Sequence, residues 1–276
     1  MQALTVFIRG WAGLALLVAG SATALAQPAP VDPLARARQL YNAEKYDEAI
    51  TAARDAAARP GSKNEAGLLL GRALLERHRA SRVAGDLDAA RAALRGVDAT
   101  GLADRSRLDL VVGLGEALYL DGEYRSAAAL LEPVLEQMGL LAPPAREQVV
   151  DWWATAMDRY AQTRPPDERT AIYDGIAARL RQHLGRYPDS AAASYWLPAS
   201  ALASGDLELA WDLALAGWVR SVLAPDKGVA LRADLDRLVT QALIPERVKR
   251  LANEPDAAAA GRFTAEWDEA KTRWPQ

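Results

Sequence analysis

Gly122-Glu123-Tyr124-Arg125-Ser126-Ala127 recurs along this chain as Gly205-Asp206-Leu207-Glu208-Leu209-Ala210 and as Gly85-Asp86-Leu87-Asp88-Ala89-Ala90. Each copy has a turn glycine, an apolar residue two positions later and an alanine three positions after that. A fourth copy, Lys45-Tyr46-Asp47-Glu48-Ala49, lacks only the glycine. A glycine placed just before a helix start marks the turn between two antiparallel helices, and its recurrence predicts that such pairs stack into a solenoid.

The residues flanking the phrase sharpen this. Upstream of three of the alanines lies an apolar stretch with a small residue: Ala37-Arg38-Gln39-Leu40-Tyr41, Gly71-Arg72-Ala73-Leu74-Leu75 and Gly115-Glu116-Ala117-Leu118-Tyr119. Four and seven positions after the alanines come Ala53 and Ala56, Leu94 and Val97, or Leu131 and Val134. Small side chains are needed where two helix axes cross closely, and large ones where they splay. The pattern resembles the tetratricopeptide repeat family, which implies a right-handed α-solenoid of antiparallel helix pairs. The steps from Tyr46 to Leu87 and from Leu87 to Tyr124 are 41 and 37 residues, against about 34 for the ideal repeat. The first excess falls on Arg77-His78-Arg79-Ala80-Ser81-Arg82, a lengthened helix or an inserted loop. From Tyr124 to Leu207 is 83 residues, room for two steps, so a degenerate pair is expected with helices over 146–161 and 168–183.

Helix signals agree. Asp32-Pro33 is an N-cap with proline at the first helical position; Ser62-Lys63-Asn64-Glu65 has capping-box spacing; Pro60-Gly61, Pro143-Pro144, Pro188-Asp189 and Pro225-Asp226 punctuate junctions. No apolar alternation bounded by hairpin turns occurs, so the chain reads as all-α. Pro198, at the small-residue position of its helix, removes a backbone bond and predicts a kink or restart. Beyond Val222 the phrase stops, but Val229 to Leu243, a helix opening at Pro245 and Asp256 to Trp274 keep helical spacing. A solenoid end needs a solvating cap, so 27–222 is expected to hold the repeats and 223–276 the capping helices.

The first 26 residues read as a signal peptide: Arg9, an apolar run from Gly10 to Val18, and the small-x-small site Ala24-Leu25-Ala26. Cleavage would leave Gln27 as the terminus; an uncleaved anchor is the competing expectation. Cysteine is absent, which rules out a lipidated N-terminal cysteine and disulfides. The expected compartment is the periplasm or the exterior of a bacterium. The net charge of −3 gives no electrostatic ground for nucleic acid.

The search for chemistry returns little. His78 and His183 are far apart in sequence, each among arginines, and are expected to be solvated surface groups; neither has a metal-ligand partner at helical spacing. No nucleophile elbow, phosphate loop, dinucleotide fingerprint or calcium loop is present, and the carboxylates cluster at turns and helix starts, where the helix dipole favours them. No catalytic residue, cofactor or metal is expected. The aromatics are more informative: seven of the eight tryptophans follow residue 150. Trp153, Met157 and Tyr160 share one helical face, as do Trp211, Leu215 and Trp218. Within the doublets Trp152-Trp153 and Tyr195-Trp196, one ring of each is expected to face away from the core.

A non-enzymatic scaffold that binds a protein or peptide partner follows from these observations. Trp152, Tyr195 and Trp196 are the expected anchors, and Arg179, Arg181 and Arg186 around His183 the polar rim. Arg72, Arg77, Arg79 and Arg82 form a second basic surface suited to an acidic partner. Arg186-Tyr187-Pro188-Asp189-Ser190, followed by Tyr195-Trp196 and Gly205-Asp206, is similar to the repeats of periplasmic envelope coordinators of the Tol-Pal-associated kind. The alternative expectation is a helical superhelix subunit or accessory domain of a peptidoglycan-acting enzyme, although the catalytic motif of the lytic transglycosylases is not found.

Overall fold

The computed structural model of the chain describes residues 32–251 and 256–274; the expected signal peptide and its cleavage site lie outside them. All regular structure among the described residues is helical, with no strand. Ten helices come two by two: α1 (Pro33–Asn42) with α2 (Tyr46–Ala57), α3 (Lys63–Ser81) with α4 (Asp86–Arg95), α5 (Asp104–Leu120) with α6 (Tyr124–Leu131), α7 (Pro143–Gln162) with α8 (Pro166–Arg186), and α9 (Ala191–Ser204) with α10 (Leu207–Arg220). Then follow α11 (Val229–Leu238), a π-helical turn (Val239–Leu243), α12 (Ile244–Lys249) and α13 (Asp256–Arg273). Within each pair the two helices pack together, and the first helix of each pair also touches the first helix of the next.

The turn phrase is a conformation as much as a sequence. Gly85, Gly122 and Gly205 have φ of 80°, 82° and 87°, the left-handed region that only glycine enters without strain. In the fourth copy the glycine's place is taken by Glu44, at φ 58°, so the turn survives the loss of its glycine. The phrase alanines, Ala49, Ala90, Ala127 and Ala210, are all fully buried. Two further features repeat. A Cβ added to Gly71 would sit 2.5 Å from Leu94 Cγ, and one added to Gly115 would sit 2.5 Å from Leu131 Cδ2. Glycine therefore fits where α3 crosses α4 and where α5 crosses α6. Tyr41 and Tyr46 meet edge to face across the first turn, with ring centroids 5.8 Å apart, and Tyr119 and Tyr124 do the same across the third at 5.9 Å.

The structure decides three local expectations. Of the two readings of 77–82 the lengthened helix holds: Arg77 to Ser81 extend α3, which ends at Arg82 in a left-handed conformation. Ser62 does not cap α3. A 3-10 turn over Pro60–Ser62 runs straight into that helix, and the Ser62 hydroxyl donates back to the Ala56 carbonyl at 2.7 Å. Glu65, freed from the capping box, pairs with Arg38 at 2.9 Å. Pro198 neither breaks nor restarts α9, which runs unbroken from Ala191 to Ser204. The carbonyl that Pro198 leaves without its helical donor belongs to Ser194, and Gly217 of α10 lies against it: a Cβ there would come within 3.0 Å of the Ser194 oxygen. A glycine on the neighbouring helix thus lets α10 approach the proline-bearing segment closely.

Past α10 the core becomes aromatic. Trp267 is fully buried and sits edge-on to both Trp211 and Trp218, at 5.7 Å in each case. Its indole N–H donates to Asp236 at 3.0 Å, which satisfies the one polar atom such a ring carries. Through these rings α11 to α13 cover α9 and α10.

Candidate functional site

The expected anchors divide. Trp152 is only 7% exposed and Trp153 2%, so the expectation that one ring of this doublet faces outward is wrong. The reason is that α7 is an interior helix, with α5 and α6 on one side and α8 and α9 on the other, which buries two faces where a surface helix buries one. Tyr195 and Trp196 are both half-buried, neither fully turned away. They stand edge to face at 5.6 Å, and they belong to different cores: Trp196 packs against the cluster built by α5 to α9, Tyr195 against the one built by α9 to α13. The doublet is therefore a seam between two packing units. The Trp196 indole donates to Asp151 of α7 at 2.9 Å. Burial, then the carboxylates of Asp234 and Asp151, raise the Tyr195 hydroxyl above the usual tyrosine range and keep it protonated.

The expected arginine rim lies on α8, away from the helix row that carries these aromatics. Arg179 and Arg186 converge on Glu136, the latter at 2.7 Å, and Arg179 also lies 3.8 Å from Glu132. Arg181 is exposed and pairs with no acid among the described residues. His183 is not a solvated group but buried, its ring 5.0 Å from that of Tyr187. Burial first, and then the charges of Arg146 and Arg186, lower its pKa to about 4, so it is neutral at pH 7.

Three of the four arginines of the second basic surface, Arg72, Arg77 and Arg79, are met by the protein's own acids. Arg77 grips Asp86 with two bonds, at 2.8 and 2.7 Å, and Asp47 with a third at 2.6 Å, tying the first two pairs together at their turns. Arg72 lies over the Tyr41 ring at 5.0 Å and pairs with Asp109 at 3.3 Å. A groove of about 280 Å³ between α1, α3 and α5 is lined by Tyr41, Arg72 and Asp109, among others.

One arrangement on the row of first helices escaped sequence reasoning. Arg79 is the hub of a polar network across α1, α3, α5 and α7. It pairs with Glu76 and, at 3.3 Å, with Glu116; it lies over the Trp152 ring at 5.3 Å. Tyr41 donates to Glu76 at 3.4 Å, and the Gln148 amide lies against Arg79, where its oxygen accepts once the amide is oriented to face the guanidinium. Glu116 is 5% exposed. Burial outweighs the attraction of Arg79 and pushes its carboxyl up to about 8. The signal was present in Arg72, Glu76 and Arg79, spaced i, i+4 and i+7 on one face of α3, but what that face meets is not written in α3.

Among the described residues no group of metal-ligating side chains converges, and no helix is long and apolar enough to cross a membrane. Comparison with known proteins finds no matching family model, no similar curated protein and no similar solved structure.

Proposed function

We propose that the chain is a tetratricopeptide-like α-solenoid that serves as a non-enzymatic, exported scaffold of the bacterial cell envelope, holding a segment of a protein partner along the row formed by α1, α3, α5, α7 and α9. The observation that carries this reading is the repetition of geometry as well as residue type. Two tyrosine pairs with the same edge-to-face contact recur at matching places in the first and third helix pairs, and two glycine–leucine crossings with the same close approach in the second and third. Units that repeat in this way expose one continuous helix row, the surface such arrays use for extended ligands. On that row Tyr195 and Trp196 offer half-exposed aromatic area at a junction of two cores, and anchors of this kind dominate interface energies.

The test is capture from solubilised bacterial envelope with the chain beginning at Gln27. Photo-crosslinking residues placed at Tyr195 are compared with ones at Arg181 on α8. A specific protein crosslinked from position 195 and not from 181 supports the reading. Crosslinks from 181 alone move the contact to the second-helix surface, and hydrolysis of purified peptidoglycan by the chain overturns the non-enzymatic assignment in favour of the enzyme-accessory alternative.

A further inference from the structure

A cavity of about 540 Å³ lies outside that row, where the turn between α9 and α10 faces α12 and α13. Its volume is in the range of small-ligand sites, roughly 300–1,000 Å³. Leu207, Leu251 and Phe263 supply an apolar wall, and Arg247 and Arg250 supply cationic groups. Arg247 is the unusual element. Its guanidinium is held between two rings, 4.5 Å from the Trp211 centroid and 4.3 Å from that of Phe263, and its side chain is only 12% exposed. Its Nη1 is buried and without a hydrogen-bond acceptor, the nearest carboxylate oxygen, that of Glu266, being 3.8 Å away. Its Nη2 donates to Glu208 at 3.2 Å, and that glutamate is 81% exposed. Arg250 is pinned through one nitrogen to the Gly205 carbonyl at 2.7 Å, which leaves further N–H donors on the same planar group.

A cation clamped by two rings has a fixed orientation, and its Nη2, held at the cavity only by an exposed glutamate, can exchange that acceptor for another, whereas the buried Nη1 is out of a ligand's reach. A planar oxyanion suits the guanidinium fork. The surface glutamate now on Nη2 gives up little when another carboxylate replaces it, since exposed ion pairs are weak. We propose that this cavity binds a carboxylate carried on an apolar body, as presented by a free apolar amino-acid terminus or by a small aryl or alkyl acid. The carboxylate sits on Arg247, with Arg250 as second donor, and the apolar body lies against Leu207, Leu251 and Phe263. The site is separate from the row of first helices and does not depend on what binds there.

The test uses the chain from Gln27 onward with N-acetylphenylalanine, its amide, inorganic phosphate and a six-residue peptide ending in a free phenylalanine. Binding is read from the fluorescence of Trp211, with Trp211→Phe as control, and from melting temperature. The expected result is saturable binding of the acid, with the amide and phosphate at least about tenfold weaker. Arg250→Gln weakens the acid about tenfold, and Glu208→Gln, which removes the competing carboxylate from an exposed position, tightens it severalfold. Tighter binding of the peptide than of the single residue identifies a chain terminus as the source; equal binding identifies a small acid. Arg247→Gln abolishes binding, but Glu208→Gln keeps the proposal falsifiable if the arginine variant unfolds. Equal affinity for acid and amide, preference for phosphate, or no response to Glu208→Gln overturns the assignment.

Discussion

The second and third helix pairs and the region from α9 onward bury their cores by opposite means. In the former, a backbone without a side chain meets a large aliphatic one, at Gly71 against Leu94 and at Gly115 against Leu131. In the latter, tryptophan rings meet each other, with Trp267 between Trp211 and Trp218. The difference follows from what each crossing must accommodate. A repeated unit must present the same small–large fit at every step, so its crossings are set by glycine, alanine and leucine in register. Where α13 meets α10, the space between the helices is filled by three large rings. Two buried titratable groups also differ in their surroundings: Glu116 of α5 belongs to a polar network spanning four helices, whereas His183 of α8 lies against Tyr187 at that helix's end.

If the rings carry the C-terminal core, Trp267→Ala should cost the most of any single change, about 3–5 kcal/mol, read as a fall in the urea midpoint. Trp196→Ala, half-buried at the seam, should cost distinctly less. A smaller loss at 267 than at 196 would break the comparison.

The two buried groups give the stability curve two limbs. Folded Glu116 holds its proton up to about pH 8, while the unfolded chain releases it near its ordinary value of 4.5. Stability therefore falls as pH rises through that window, by a few kcal/mol at most, since each pH unit between the folded and unfolded values is worth ~1.4 kcal/mol. His183, with a folded value of about 4, acts in the other direction, and stability falls as pH drops from about 6.5 towards 4. Glu116→Gln should flatten the alkaline limb between about pH 6.5 and 8, and His183→Gln the acid limb, in melting temperatures taken from about pH 4 to 9. A wild-type curve flat above about pH 6.5 would contradict the Glu116 assignment.

Gly115→Ala should destabilise by about 1–3 kcal/mol despite alanine's better helix propensity, because the added methyl has nowhere to go beside Leu131. In a double-mutant cycle, Leu131→Ala should relieve that clash, so the combined cost is smaller than the sum; strict additivity would mean the crossing is looser than the contact implies.

The smallest effects are at the turns. Glu44→Gly should gain, and Gly122→Ala should lose, about 1 kcal/mol each, since both sites hold φ above 50°. The sign at position 44 is the sharp part: destabilisation by Glu44→Gly would show that the glutamate side chain contributes more than its backbone strain costs.

Much of the fold was legible because its determinants are local and repeat. The glycine, the apolar residue and the alanine of the turn phrase act within one helix pair, and so do Gly71, Gly115 and their leucines. The degenerate fourth pair could be placed from spacing and prolines alone, and α7 and α8 cover the ranges expected of it. Glu44 shows the limit from the other side, since nothing in Lys45-Tyr46 announces that the residue before them takes the glycine conformation.

The candidate sites were much less legible, because burial and ion pairing belong to surfaces that meet. Trp152 looked free because two adjacent residues cannot share one helical face; α7 turned out to have neighbours on both sides. Arg179, Arg186 and the arginines from Arg72 to Arg79 looked available because their acids, Glu136, Asp47, Asp86, Asp109 and Glu116, stand on other helices or turns. By itself the sequence determined the helices, their pairing and the small residues at their crossings, since each depends on contacts a few residues apart or at a fixed repeat. Only the tertiary structure decided which rings are covered, which arginines are already paired and where Arg247 is left with an unmet donor, because each of those is a property of two or more elements brought together from distant parts of the chain.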